Sequence, residues 1–305
     1  MLTDYHLHLR PDDREATAAE HFTAANAERY RAAATGCGIE ELGVSEHIYR
    51  FRQALRVWRH PFWQEYAVDD LDAYCEFVRA ETDLKLGIEA DFVPGAEDRM
   101  ANLLEECDLD YVVGSVHFLR DESLDTEEYS IWSPTRSGPA RSAEEIWRRY
   151  FQTLGEAARS GLFDILAHPD LVKVWGPQQP RPEGDLRRYY ELALDGIAES
   201  GIAVEVSTAG LRKPAGEIYP ARAFLEMALE AGAPVALSSD AHRPQEVGAD
   251  YERAQELLEG LGVQELCVFE RRARRLEPIG AARRADSAPA GGLHASQAAR
   301  RGGGP

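Results

Sequence analysis

At 305 residues, 44% apolar and 29% charged, the chain has ample material for a buried core and holds either one large α/β domain or two small ones. Its formal charge of −19 disfavours a nucleic-acid or anionic-membrane surface, because phosphate backbones reward Lys and Arg. A small phosphorylated substrate stays open, since bound cations can invert a local field. The chain opens on a strand-like segment instead of a secretory leader, and no apolar run approaches bilayer length. Cys37, Cys75, Cys107 and Cys267 lie far apart without CxxC spacing and read as reduced thiols, so the expected compartment is the cytoplasm.

The first expected strand, Thr3–His8, carries Asp4-Tyr5-His6-Leu7-His8. Alternate residues of a strand share a face, which sets the Cα atoms of His6 and His8 about 6–7 Å apart and within reach of one metal ion. Further strands are expected over Glu41–His47, Leu84–Phe92, Tyr111–Phe118, Asp164–Asp170, Ala203–Ala209, Pro234–His242 and Glu265–Glu270. Helical patterns between them cover Ala27–Ala34, Asp70–Glu81, Ala96–Glu106, Ala143–Ser160, Leu186–Ser200, Ala221–Ala231 and Glu252–Gly260. Gly161, Gly201 and Gly232 follow three of these helices, where left-handed C-caps are expected. Repeated β-then-α units argue for a parallel sheet with helices outside it. With no break in composition, a single closed α/β barrel over residues 1–278 is favoured.

Three connections are long: 48–69, 119–142 (with a Ser-Pro-Thr-Arg-Ser-Gly-Pro turn) and 171–184. Each follows a strand, so all three lie on the face where the strands end, as lids and binding loops do. From about Ile279 the composition turns to Ala, Arg, Gly and Ser, and residues 279–305 are expected to form a disordered tail that includes His294.

Of the nine histidines, six fall at or just beyond expected strand ends: His6, His8, His47, His117, His168 and His242. Glu89, Asp91 and Asp240 share that position. Any one of these reads as a hydrogen-bonded core residue, and Glu46 and Glu205 read as structural carboxylates. Six imidazoles converging on one face are better explained by metal ions that relieve the cost of burying them. Imidazole with carboxylate and no thiolate suits Zn, Mn or Fe, and two or three adjacent cations suit hydrolysis. Neither a nucleophile elbow nor a phosphate-cradling glycine loop is present.

The chain resembles the histidinol-phosphate phosphatase branch of the PHP (polymerase and histidinol phosphatase) superfamily. The matching segments are Asp4-Tyr5-His6-Leu7-His8, Gly43-Val44-Ser45-Glu46-His47, Gly87-Ile88-Glu89-Ala90-Asp91-Phe92, Tyr111 to His117, Ala167-His168-Pro169-Asp170 and Ser238-Ser239-Asp240-Ala241-His242. The stretch Ser207 to Pro214, with Ile218-Tyr219-Pro220, points to the branch. The resemblance implies a distorted (β/α)7 barrel with a trinuclear centre. His6, His8, Glu89 and Asp240 would hold one ion; Glu89, bridging, with His117 and His168 a second; His47 and His242 a third. Where the family often supplies another histidine, this chain reads Arg10-Pro11-Asp12-Asp13-Arg14, so Asp13 or Asp12 would substitute, unless both simply cap the next helix.

The implied reaction is hydrolysis of L-histidinol phosphate, a step of histidine biosynthesis, by a hydroxide held between ions. Arg212 is the candidate phosphate clamp, or else an ordinary ion pair. The aromatics of 48–69 (Tyr49, Phe51, Trp58, His60, Phe62 and Trp63, with Arg50 and Arg52 among them) would stack on the substrate imidazole or simply pack the loop. The same centre could serve another phosphomonoester or a phosphodiester. A non-catalytic metal-binding protein is the reading from a different class.

Overall fold

A computed structural model describes residues 1–133 and 141–280. Its frame is a seven-stranded parallel sheet: β1 (Thr3–Asp4), β2 (Glu41–His47), β3 (Lys85–Asp91), β4 (Tyr111–Ser115), β5 (Ile165–Leu166), β6 (Ala203–Ser207) and β7 (Val235–Ser238), each paired with the next. The two edges then meet. Leu7 forms an isolated parallel bridge with Ala241, the His8 amide donates to the Ala241 carbonyl at 2.7 Å, and the Ser239 amide donates to Asp4 Oδ1 at 3.1 Å. The sheet is thus a nearly closed barrel, with one thin seam between β1 and β7.

β1, β5 and β7 fall furthest short of their expected spans, because there the chain leaves the ladder to aim a side chain inward. Beyond Asp4 only Leu7 pairs again, by that bridge. His168 turns left-handed at φ 24° soon after β5, and Asp240 at φ 49° soon after β7. Non-glycine residues in that region carry a cost of about 1–3 kcal/mol, which surrounding contacts must offset.

The helices fall within a few residues of their expected spans. They are α1 (Ala24–Gly36), α2 (Leu71–Glu81), α3 (Glu97–Glu105), α4 (Ala143–Arg159), α5 (Arg187–Ser200), α6 (Arg222–Glu230) and α7 (Tyr251–Gly260). Polar caps start several of them: the side chain of Thr23 accepts from the Asn26 amide, Asp70 from Ala73 and Ser142 from Glu145. Gly161, Gly201 and Gly232 all adopt positive φ. Among the described residues no helix is long and apolar enough to cross a membrane.

Glu265–Glu270 is a strand, but it does not join the barrel. As β8 it pairs antiparallel with β9 (Ala273–Pro278), which sequence pattern missed. β9 is mostly exposed and rich in arginine, and the turn places Arg271 and Arg272, not Asn-Gly, at positive φ. Asp110 holds that turn: its Oδ1 accepts from the Arg271 amide at 3.2 Å and its carbonyl from the Arg272 amide at 2.8 Å. The hairpin covers the end where the strands begin, packing Phe269 edge-on against Tyr5 at 5.4 Å.

Beside Phe269 lies the buried Tyr111 ring, beneath β2 and β3. A Cβ at Gly87 would lie 2.3 Å from Tyr111 Cζ, and one at Gly43 would lie 2.3 Å from its hydroxyl. The two glycines make room for one ring. The expected Ser-Pro-Thr-Arg-Ser-Gly-Pro turn lies, beyond Ser133, outside the described residues, as does the expected tail beyond Gly280, His294 included. Gly87→Ala should cost about 1–3 kcal/mol by overpacking against Tyr111, read as a lower denaturant midpoint of the metal-loaded protein.

Candidate metal centre

The strand ends deliver one buried carboxylate into a ring of imidazoles. Glu89, at the end of β3, is 1% exposed. Its Oε2 lies 2.5 Å from His47 Nδ1, 3.3 Å from His6 Nε2 and 3.6 Å from His8 Nε2. Its Oε1 faces the other way, 3.1 Å from His168 Nε2 and 3.3 Å from His117 Nε2. Asp240 Oδ1 approaches His8 Nε2 at 3.4 Å, His242 Nδ1 at 3.6 Å and His6 Nε2 at 3.7 Å. Four triads bring their donor atoms within 4.8 Å of one another: His6-His8-Glu89, His6-His168-Asp240, His47-Glu89-His117 and His8-His47-His242.

The donor set fits divalent ions on two grounds. His6 Nε2, both ring nitrogens of His8, Glu89 Oε2, Asp240 Oδ1 and His242 Nε2 are buried without a hydrogen-bond partner. Orphaned polar atoms are expensive in a protein interior unless something binds them. Two of the outward nitrogens, by contrast, are anchored. His6 Nδ1 lies 2.8 Å from Glu205 Oε1 and His117 Nδ1 lies 2.8 Å from Asp91 Oδ1, fixing each ring so that Nε2 points inward. Glu205 also accepts from Ser238 Oγ at 2.6 Å and from the His168 amide at 2.5 Å, so one carboxylate braces three elements of the site.

The two aspartates after the first histidine pair separate cleanly. Asp12 reaches His242 Nε2 at 3.1 Å and His47 Nε2 at 3.6 Å. Asp13, the residue favoured from sequence, is exposed, and its Oδ1 accepts from the Glu15 amide at 3.0 Å. The physical reason lies behind Asp12. Arg50, 2% exposed, donates from Nη2 to Asp12 Oδ1 at 2.6 Å while its Nη1 pairs with buried Glu46 and reaches the Arg10 carbonyl at 2.7 Å. Sequence alone gave no sign that Arg50 turns inward to orient this carboxylate. Asp12 itself is 56% exposed and opens onto the pocket.

That pocket, of about 370 Å³, has the imidazole–carboxylate cluster as its floor. Tyr49, Phe62, Tyr66, Phe118 and Trp175 contribute aromatic wall, and Asp125, Lys213 and Tyr219 contribute polar groups that sequence reasoning missed. Of the loop aromatics named in advance, Tyr49 and Phe62 line this pocket and Tyr49 stacks on His47 at 4.6 Å. Phe51 and Trp63 are buried in the core, and Trp58 and His60 line a separate cleft. Arg52 pairs with Asp70. Arg212 does not line the pocket: its Nη2 donates to the Ser239 and Asp240 carbonyls at 2.6 and 3.3 Å, bracing the Asp240 turn. His21 ends a short helix and does not line the pocket.

A PHP domain model matches residues 18–209. A probable histidinol-phosphatase of Deinococcus radiodurans is 35% identical over 251 residues, 82% of this chain and 91% of that protein. The chain belongs to the PHP family, in its histidinol-phosphatase branch. The histidinol-phosphatase of Bacillus subtilis is 29% identical, covering 57% of this chain and 69% of its own. The crystal structure of a histidinol phosphate phosphatase from Lactococcus lactis, complexed with zinc, L-histidinol and phosphate, matches 90% of this chain and 98% of that one. It does so at a TM-score of 0.63 and 18% identity, a likeness of fold.

In this PHP barrel the imidazoles are far from uniform. Burial and the neighbouring His47 and His242 hold His8 well below the ordinary imidazole range. Burial also opposes protonation of His47 and His117, but Glu89 and Asp12 raise His47 to about 9, and Glu89, Asp91 and Asp125 raise His117 to about 10. A divalent ion must displace those protons, so metal affinity should rise with pH up to about 9–10. Adding zinc in weak buffer near pH 7 should acidify the solution, which a pH indicator reads. Asp12→Ala should lower the bound metal per chain, measured by elemental analysis after gel filtration, whereas Asp13→Ala should leave it unchanged.

Proposed function

We propose that this chain hydrolyses the phosphate monoester L-histidinol phosphate to L-histidinol and phosphate, with two or three divalent ions of the Zn, Mn or Fe type. The observation that carries the reading is Glu89, whose two oxygens each face a separate set of imidazoles at the floor of a substrate-sized pocket. The name of the Deinococcus relative, and the zinc, L-histidinol and phosphate of the Lactococcus protein, support the substrate and the metal. His6, His8, Glu89 and Asp240 form one ion site; Glu89, His117 and His168 a second; His47, His242 and Asp12 a third. Such ions, when bound, activate water as a nucleophile and neutralise charge on the phosphoryl oxygens.

The chain's own residues do the rest. Glu205 and Asp91 fix the rings of His6 and His117, and Arg50 fixes Asp12. Arg212 fixes the backbone that presents Asp240, acting through that residue and not by direct contact with phosphate. Lys213 is the one Lys or Arg on the pocket wall among the described residues and is the candidate for a phosphate contact. The aromatic wall excludes water and offers an apolar face to the imidazole. The four free thiols suit a reducing compartment such as the cytoplasm.

Purified protein should release phosphate from L-histidinol phosphate, lose that activity on chelation and regain it with added Zn or Mn. Metal-loaded protein that leaves this ester intact would refute the substrate while leaving the ion sites standing.

A further inference from the structure

The proposed substrate carries a positive charge that the metal centre cannot hold. L-Histidinol phosphate has an ammonium group two carbons from its ester oxygen, and a floor of cations repels it. Its partner should be an anion on the wall, fixed in place and not already neutralised.

Four carboxylates line the pocket: Asp12, Glu89, Asp240 and Asp125. The first three are engaged by the imidazoles of the floor. Asp125 forms no such ion pair, although its charge is felt at His117. Among the described residues no Lys, Arg or His lies within 4 Å of it, and the hydrogen bond to its carboxylate comes from Ser123 Oγ, which donates to Oδ1 at 2.8 Å. The buried Ser123 hydroxyl also accepts from the Asp125 amide at 3.3 Å and the Thr126 amide at 3.0 Å, a tight turn that fixes the carboxylate's direction. From the other side Trp175 Nε1 donates to the Leu124 carbonyl at 2.7 Å, locking the segment to the next loop. An anchored carboxylate beside Phe118 and Trp175 loses part of its hydration and gains most from a cationic ligand.

Resting on the phosphatase reading above, we propose that Asp125 is the specificity-determining group of this pocket. Its carboxylate accepts the substrate's ammonium N–H while the phosphate lies on the metal floor. The pocket thereby selects amino-alcohol phosphates over neutral alkyl or aryl phosphates.

The test compares kcat/KM of the metal-loaded protein on L-histidinol phosphate and on its des-amino analogue, imidazolylpropyl phosphate. Asp125→Asn keeps the shape and a group for Ser123 to bond. It should cut the preference for the amino substrate about 10–100-fold, the worth of one charge-assisted hydrogen bond, mainly through KM. Asp125→Glu should retain part of the preference. A preference that stays within about twofold, or an equal loss on both esters, would overturn the assignment. If the wild-type protein ignores histidinol phosphate altogether, the substrate reading fails separately. Phosphoethanolamine against ethyl phosphate then asks the same question of Asp125, and equal rates on that pair would refute it.

Discussion

A carboxylate buried among imidazoles has no inexpensive solution within the protein alone. Burial raises the energy of the Glu89 charge, while His47, His6 and His117 pull its proton affinity well below the usual carboxylate range. Each added histidine finds either a carboxylate oxygen or no partner at all. Divalent ions answer the whole set at once, and the architecture follows from presenting those groups together. The strands stop early, two of the converging groups sit in left-handed backbone, and the outward ring nitrogens of His6 and His117 are tied to Glu205 and Asp91.

The site is built in layers of decreasing rigidity. Glu89, His6 and His8 sit on the barrel wall, 1% exposed or less. Asp12 comes from a connecting segment and is steered by Arg50, itself held by Glu46 on β2. The pocket wall comes from four connecting segments, including Phe62 from a short helix over Pro61–Tyr66, Trp175 from between two 3-10 turns, and Lys213 and Tyr219 from beyond β6. Most of the groups that could hold an ion come from the strand ends, while the connecting segments shape the pocket wall.

Much of this was legible in the residues themselves. Two-residue spacing put His6 and His8 on one face, and the strand ends carried His47, Glu89, His117 and His168 to one place because parallel strands end on one side of a barrel. What escaped was decided by tertiary contacts. Nothing local distinguishes Asp12 from Asp13; a buried guanidinium 38 residues away does. Asp125 carries no motif, and Lys213, though inside the branch-like stretch Ser207 to Pro214, gains a position only as pocket lining. β9 lacks apolar alternation because it is exposed along nearly its whole length, on both faces. Glu265–Glu270 had the pattern of a barrel strand yet serves as a plug, since periodicity reports burial and not which partner does the burying.

The seam between β1 and β7 gives the ion cluster a mechanical meaning. Backbone pairing there amounts to the Leu7–Ala241 bridge and its neighbours. The flanking donors lie on opposite sides of the seam: His6 and His8 from the first edge, Asp240 and His242 from the last. In the proposed loaded state a cation shared by both sides is therefore a clasp, joining chain segments more than two hundred residues apart where the ladder is weakest. Catalysis and closure of the barrel then draw on the same bonds, and local opening at this edge is opposed by the occupancy of the site itself.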